Sequence, residues 1–144
     1  MKTFQFKFEA LLTHRKLRVR ELETKLAKIN TKARWFADRL TSIKEEITRM
    51  QGQLVDLRLE GNLKKNQEVM DYLSTLQNTF LAIEKAHASE CVELSIAKKE
   101  IEKAVTLRKI IENLRETHYT HYLKQQERKE EYYLDELRST KHPR

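Results

Sequence analysis

Residues 19–57 read VRELETKLAKINTKARWFADRLTSIKEEITRMQGQLVDL, and this stretch decides the fold. Apolar residues recur in alternating steps of three and four: Val19, Leu22, Leu26, Ile29, Ala33, Phe36, Leu40, Ile43, Ile47, Met50, Leu54 and Leu57. No step fails. Run backwards, the same frame passes through Arg15, Leu12 and Phe8, so Arg15 alone interrupts it. A 3-4 spacing averages 3.5 residues per turn, the period that keeps an apolar stripe facing a partner helix along a left-handed supercoil. At about 1.5 Å per residue, the helix from Phe8 to Leu57 would be roughly 75 Å long. Such a helix cannot bury its stripe against a compact core. It needs a second long helix.

The rest of the composition agrees. The chain has 144 residues, 35% of them charged and 39% hydrophobic, with two glycines and a single proline, Pro143. A breaker-poor chain of this kind predicts long helix or coiled coil. With only Gly52 and Gly61 available, glycine-rich phosphate loops are excluded. The lone Cys91 rules out an internal disulfide and a cysteine-based zinc finger, and suits a reducing cytoplasm. The opening Met-Lys-Thr-Phe-Gln-Phe-Lys-Phe offers no signal-peptide core. No apolar run approaches the ~20 residues of a membrane span, which predicts a soluble protein without direct membrane insertion.

The formal net charge is +7. Much of the excess lies in the first helix, in Arg15, Lys16, Arg18, Arg20, Lys25, Lys28, Lys32 and Arg34, against Glu21 and Glu23. A solvated coiled-coil face is the plainer reading. The functional one is a surface for an acidic protein, nucleic acid or phospholipid head groups.

Taken in order, the chain predicts an all-α fold: one long antiparallel two-helix coiled-coil hairpin with a C-terminal helical overhang. Phe4, Phe6 and Phe8 alternate like a short strand, but helix begins close behind them, and Phe4 and Phe6 are expected to pack near the end of the coil. Helix one covers about 9–60, a turn covers 61–66, helix two covers about 67–138, and residues 139–144 form a disordered tail. Gly61-Asn62 tolerates the left-handed conformation that ends helices, and Asn66 offers the next N-cap. A short connection makes the helices antiparallel neighbours. The second seam runs Val69, Leu73, Leu76, Phe80 and Ile83, then falters at His87 and Glu90, with Cys91 one position off. It resumes at Leu94, Ala97, Ile101 and Ala104, and follows the apolar residues into a shifted frame at Leu107, Ile111 and Leu114, a stammer. Reflected about position 63, Leu57 meets Val69, Leu40 meets Ala86 and Phe8 faces His118. Residues from about Tyr119 onward, including Tyr122, Leu123, Tyr132, Tyr133, Leu134 and Leu137, then overhang without a partner.

Candidate chemistry is thin. His118 and His121 stand at i and i+3, yet no third ligand completes a metal set at matching spacing. His87 and Cys91 read as a soft spot in the seam. Carboxylates lie on exposed helix faces, and a two-helix coil has no cleft to desolvate a general acid or base. The reading is therefore of a protein that is not an enzyme, with no cofactor and no small-molecule substrate. Trp35 flanks the seam residue Phe36, where it packs the seam's edge or meets a partner. Just after the turn, Tyr72, Leu76, Thr79 and Ile83 form a second stripe that widens the apolar face. That breadth suggests docking, although a wide seam alone accounts for it.

The opening Phe4-x-Phe6-x-Phe8-Glu9-x-Leu11-Leu12-x-x-Arg15 resembles the N-terminal signature of the FliJ family, small flagellar export proteins built as antiparallel two-helix coiled coils. Phe8 stands where the family usually has Leu. The C-terminal Glu130-Glu131-Tyr132-Tyr133-Leu134-Asp135-Glu136-Leu137 is similar to the family's "EQK-x-LDEL" ending, with Glu131 and Tyr132 in place of the Gln-Lys pair. Length, basic charge and layout agree across nearly the whole chain. The resemblance implies a protein like the central stalk of rotary ATPases, whose coil end formed by both termini enters the export ATPase ring. It further implies contact with the cytoplasmic domain of the export gate, recycling of export chaperones, and a cytoplasmic place at the inner membrane of the flagellar base. The gate contact carries over to Tyr72, Leu76, Thr79 and Ile83, the last two departing in chemistry. The basic residues Arg15, Lys16, Arg18 and Arg20 lie at the end that would meet the ATPase.

Other readings stay open on sequence alone. The stalk protein of a virulence type III secretion system is the nearest, and the phenylalanine-rich opening favours the flagellar branch. A basic nucleic-acid binder lacks the basic region ahead of the heptads that leucine zippers carry, which speaks against it. A self-associating adaptor, with hairpins paired into a four-helix bundle, draws on the broad face near Tyr72.

Overall fold

A computed structural model describes residues 3–141. Two helices account for nearly all of them: α1 over Glu9–Glu60 and α2 over Leu63–Lys141. They pack against each other antiparallel, and the described residues contain no strand.

The connection is only Gly61-Asn62, shorter than the 61–66 turn the sequence suggested. Gly61 has φ 76°, a left-handed conformation that costs an L-residue its Cβ clearance. Its N–H donates to the carbonyl of Arg58, and the Asn62 N–H donates to that of Leu57. This pair of bonds is a Schellman cap, which satisfies the last carbonyls of α1. Asn62 then starts α2: its side-chain oxygen accepts from the Lys65 N–H at 3.2 Å, and its carbonyl accepts from the Asn66 N–H. Asn62, not Asn66, is thus the N-cap. Asn66 sits in the seam at 9% exposure. One residue closes α1 and opens α2, which leaves no room for a longer loop.

The chain forms two compact units. Residues 22–100 form one of them, containing the turn. Every apolar seam position of α1 in this unit, from Leu22 to Leu57, is buried or half-buried. On α2 the 3-4 frame Asn66, Val69, Leu73, Leu76, Phe80, Ile83, His87, Glu90, Leu94 and Ala97 is likewise buried or half-buried. His87 and Glu90 therefore keep the seam's frame although their chemistry breaks its apolar run. The exposed Cys91 lies outside it. Lys32 reaches Glu90 across the helices at 3.8 Å.

The second unit joins residues 3–21 to 101–141. Here Leu12 and Val19 of α1 are buried, as is Ala104 of α2. The frame of α2 does not slip at this point. Leu107 is 42% exposed, whereas Arg108, Ile111, Leu114 and Arg115 are half-buried, so Leu114 is covered as the shifted frame expected but Leu107 is not. The stammer drawn through Leu107 followed hydrophobicity; the helix keeps its 3-4 spacing and turns arginines inward instead. The contacts Glu9–Arg115 and Lys32–Glu90 fold the hairpin about Gly61-Asn62, a slightly earlier centre than position 63. Phe6 rather than Phe8 then meets His118. Helix continues through Ser139 and Thr140 to Lys141, where the sequence suggested a disordered tail; the remaining residues of that tail lie outside the described ones.

Candidate functional site

Phe4, Phe6 and Phe8 precede α1, and a turn over residues 7–8 leads into the helix. The Phe6 carbonyl accepts from the Glu9 N–H at 3.2 Å, and the Phe8 carbonyl accepts from the Leu12 N–H at 2.9 Å. Glu9, acidic in the first turn, suits the positive end of the helix. The rings of Phe4 and Phe6 lie against α2. Phe6 is 7% exposed and packs edge-on against His118 at 5.5 Å and Phe8 at 5.8 Å. Phe4 meets Tyr119 at 5.1 Å and Tyr122 at 5.5 Å. Arg115 serves both parts of this latch, bonding Glu9 at 2.9 Å while its guanidinium carbon stands 5.5 Å from the Phe4 ring. Edge-to-face aromatic pairs and a cation over a ring each add about 0.5–1.5 kcal/mol beyond burial.

This geometry revises the overhang. Tyr119, still 43% exposed, and Tyr122 touch Phe4, so the overhang beyond that contact starts at Leu123 and includes the exposed Tyr132, Tyr133, Leu134 and Leu137. His118 is occupied with Phe6, and His121 bonds Gln125 within its own helix. Among the described residues no group of three metal-ligating side chains comes together. Nor is any described helix long and apolar enough to cross a membrane.

The four basic residues beside the latch differ in role. Lys16, Arg18 and Arg20 are exposed, and Arg18 pairs with Glu21 at 3.6 Å. Such an exposed pair contributes about 0–1 kcal/mol, so a stronger acidic partner displaces it at little cost. Lys16 edges a shallow groove with Glu112 and Glu116. Arg15 is half-buried in the seam, and its Nε is buried without a hydrogen-bond partner. Arg108 is in the same state, although its Nε stands 3.4 Å from Glu112. The register that joins Glu9 to Arg115 places Arg15 level with Arg108, so two guanidiniums share one layer of the coil. Sequence reasoning saw Arg15 as a lone interruption and missed Arg108 and Arg115. Continuing the strict frame past Ala104, rather than following the apolar residues, finds both.

The stripe after the turn is also divided. Leu76 is 8% exposed and belongs to the seam; Ile83 is half-buried on the same face. Thr79 is half-buried with its hydroxyl donating to the Thr75 carbonyl. Only Tyr72 stands well exposed, at 44%, and its hydroxyl donates to the Glu46 carboxylate of α1. That acceptor, more than the small desolvation and the charge of Glu46, raises the Tyr72 phenol above its ordinary 10.0.

Neither the curated proteins nor the solved structures contain a match to this chain. The profile of the family described as Flagellar FliJ protein matches residues 4–144, which begins at the first phenylalanine of the latch and spans both helices. The chain belongs to the FliJ family, a component associated with flagellar protein export.

Proposed function

We infer that this protein is a non-enzymatic, stalk-like coiled coil that binds the export ATPase ring through the unit holding its termini and stimulates hydrolysis. One observation carries the reading. That unit combines an aromatic latch built on Phe4 and Phe6, the exposed cations Lys16, Arg18 and Arg20, and a length of α2 with Leu123, Leu134 and Leu137 uncovered. A helix that leaves such side chains in water gains by meeting another protein. The cations provide a loose, adjustable attraction to an acidic surface.

The residues after the turn meet the cytoplasmic domain of the export gate, with Tyr72 as the accessible contact. Leu76 and Ile83 support it from within the seam, and Thr79 lies between. Export chaperones are further partners, and the protein works on the cytoplasmic side of the inner membrane at the flagellar base. Family membership supports the flagellar branch over a virulence secretion system.

The test is ATP hydrolysis by the export ATPase of the same organism, with and without this protein and its Lys16→Glu/Arg18→Glu/Arg20→Glu variant. Stimulation that the charge reversal abolishes supports the reading. Equal stimulation by the variant removes these cations from the contact, and no stimulation or binding by either protein overturns the stalk function.

A further inference from the structure

From Val19 back to its start, α1 gives the seam only Arg15 and Leu12. Leu12 is 2% exposed, whereas Arg15 is half-buried and its Nε lacks a hydrogen-bond partner. Across from it stands Arg108, with its Nε in the same state. Parting the helices at this layer returns two guanidiniums to water, which offsets part of the cost of opening. Leu12 is then the one apolar seam residue that α1 sets beyond the arginines. A single knob does not keep about two turns of coil closed.

What closes this end is the latch, and the latch is held by side chains. Phe6 is buried against His118, and the half-buried Phe4 touches Tyr119 and Tyr122. Among the described residues, no backbone hydrogen bond joins residues 3–8 to α2; the Phe6 and Phe8 carbonyls both accept from α1. The Arg115–Glu9 bond beside the rings is exposed on both partners, and such a pair adds little by itself. The grip therefore rests on two rings, of which Phe6 is the deeper.

We propose that residues 3–8 are a releasable strap that gates a local opening of the coil. With the rings of Phe4 and Phe6 seated, α1 from Glu9 to Arg15 lies against α2. With them withdrawn, that piece parts from α2 as far as Val19, which is 3% exposed and where the apolar seam resumes. The closed form keeps Glu9 on Arg115 and sets Lys16 at the groove edged by Glu112 and Glu116. The strap thus controls the shape and charge that this end offers a partner. The opening is a property of the chain alone and does not rest on the ATPase reading.

Amide hydrogen exchange in the full chain, resolved by nuclear magnetic resonance, reads this opening at residues 13–16. Phe6→Ala should speed exchange there by about a hundredfold and leave residues 26–50 unchanged. Adding Arg15→Leu should take back about tenfold of that, because the parted layer then returns only one guanidinium to water. Spin labels on Thr13→Cys and Lys109→Cys, both exposed positions, in a Cys91→Ser background separate parting of the helices from fraying of one. The native chain should give one short separation, and Phe6→Ala a second, longer one. If circular dichroism shows Phe6→Ala unfolded, Phe4→Ala carries the same test with an expected increase of about tenfold. Exchange at residues 13–16 that stays at the native rate overturns the proposal, since the coil would then be shut without its strap. So does an equal speeding at residues 26–50, which is unfolding of the whole chain, or a label separation that does not change.

Discussion

The two units are built from the same pair of helices, yet they solve the same packing problem differently. Residues 22–100 rely on an apolar seam from Leu22 to Leu57, against which α2 sets Val69, Leu73, Leu76, Phe80 and Ile83. The unit of residues 3–21 and 101–141 gives three seam positions to Arg15, Arg108 and Arg115. It recovers stability from outside the heptads, through Phe4 and Phe6 laid over His118, Tyr119 and Tyr122. A coil needs apolar knobs in every layer to stay closed by itself. Where charges occupy them, something else must hold the helices together. Here that is a short aromatic segment belonging to neither helix.

The contrast can be broken most sharply by removing one buried side chain from each unit. Phe6→Ala should cost about 4 kcal/mol and Ile43→Ala about 3 kcal/mol, the ordinary range for emptied core positions. Hydrogen exchange should locate the losses separately, around residues 104–122 for Phe6→Ala and around residues 73–90 for Ile43→Ala. Protection lost evenly along both helices in either variant would mean that the units do not open independently.

A smaller effect of opposite sign is expected at the arginine layer. Arg15→Leu removes a half-buried guanidinium whose Nε has no partner and restores the apolar frame. It should raise stability by about 1.5 kcal/mol in thermal or urea melts. A loss of stability would show that Arg15 is better satisfied than its surroundings indicate.

The least effect belongs to Tyr72. Glu46, accepting its hydroxyl proton, raises the phenol's pKa in the folded state. The bond's contribution is therefore complete below the ordinary tyrosine range and is lost as pH rises through the raised folded value. Stability of the native chain should fall towards that of Tyr72→Phe as the solution becomes strongly alkaline. Ultraviolet difference titration should show one late-ionising tyrosine in the native chain that is missing from Tyr72→Phe.

Legibility in the sequence follows the same division. The 3-4 steps from Val19 to Leu57 give the hairpin, because a seam that buries apolar side chains at fixed intervals writes its period into the chain. The end of α1 at Gly61 was equally readable, but the length of the turn was not, because Asn62 and Asn66 both offer a cap and only the geometry gives that role to Asn62. The frame beyond Ala104 was not, because hydrophobicity pointed to Leu107 while the geometry of α2 keeps Arg108 inside. The latch was readable in part. Alternating phenylalanines announced rings packed near the coil's end, but pairing Phe4 with Tyr119 and Tyr122 requires the register, which short-range periodicity does not contain. For the docking residues, sequence alone could not separate Leu76, spent in the seam, from Tyr72, which stays exposed.

The most direct measurement is stimulation of the export ATPase by the native chain, Phe6→Ala and Ile43→Ala, at a temperature where circular dichroism shows all three helical. If the unit holding the termini is the working end, Phe6→Ala loses most of the stimulation and Ile43→Ala retains it. Stimulation lost with Ile43→Ala and kept with Phe6→Ala would place the ATPase contact in the other unit and contradict this account.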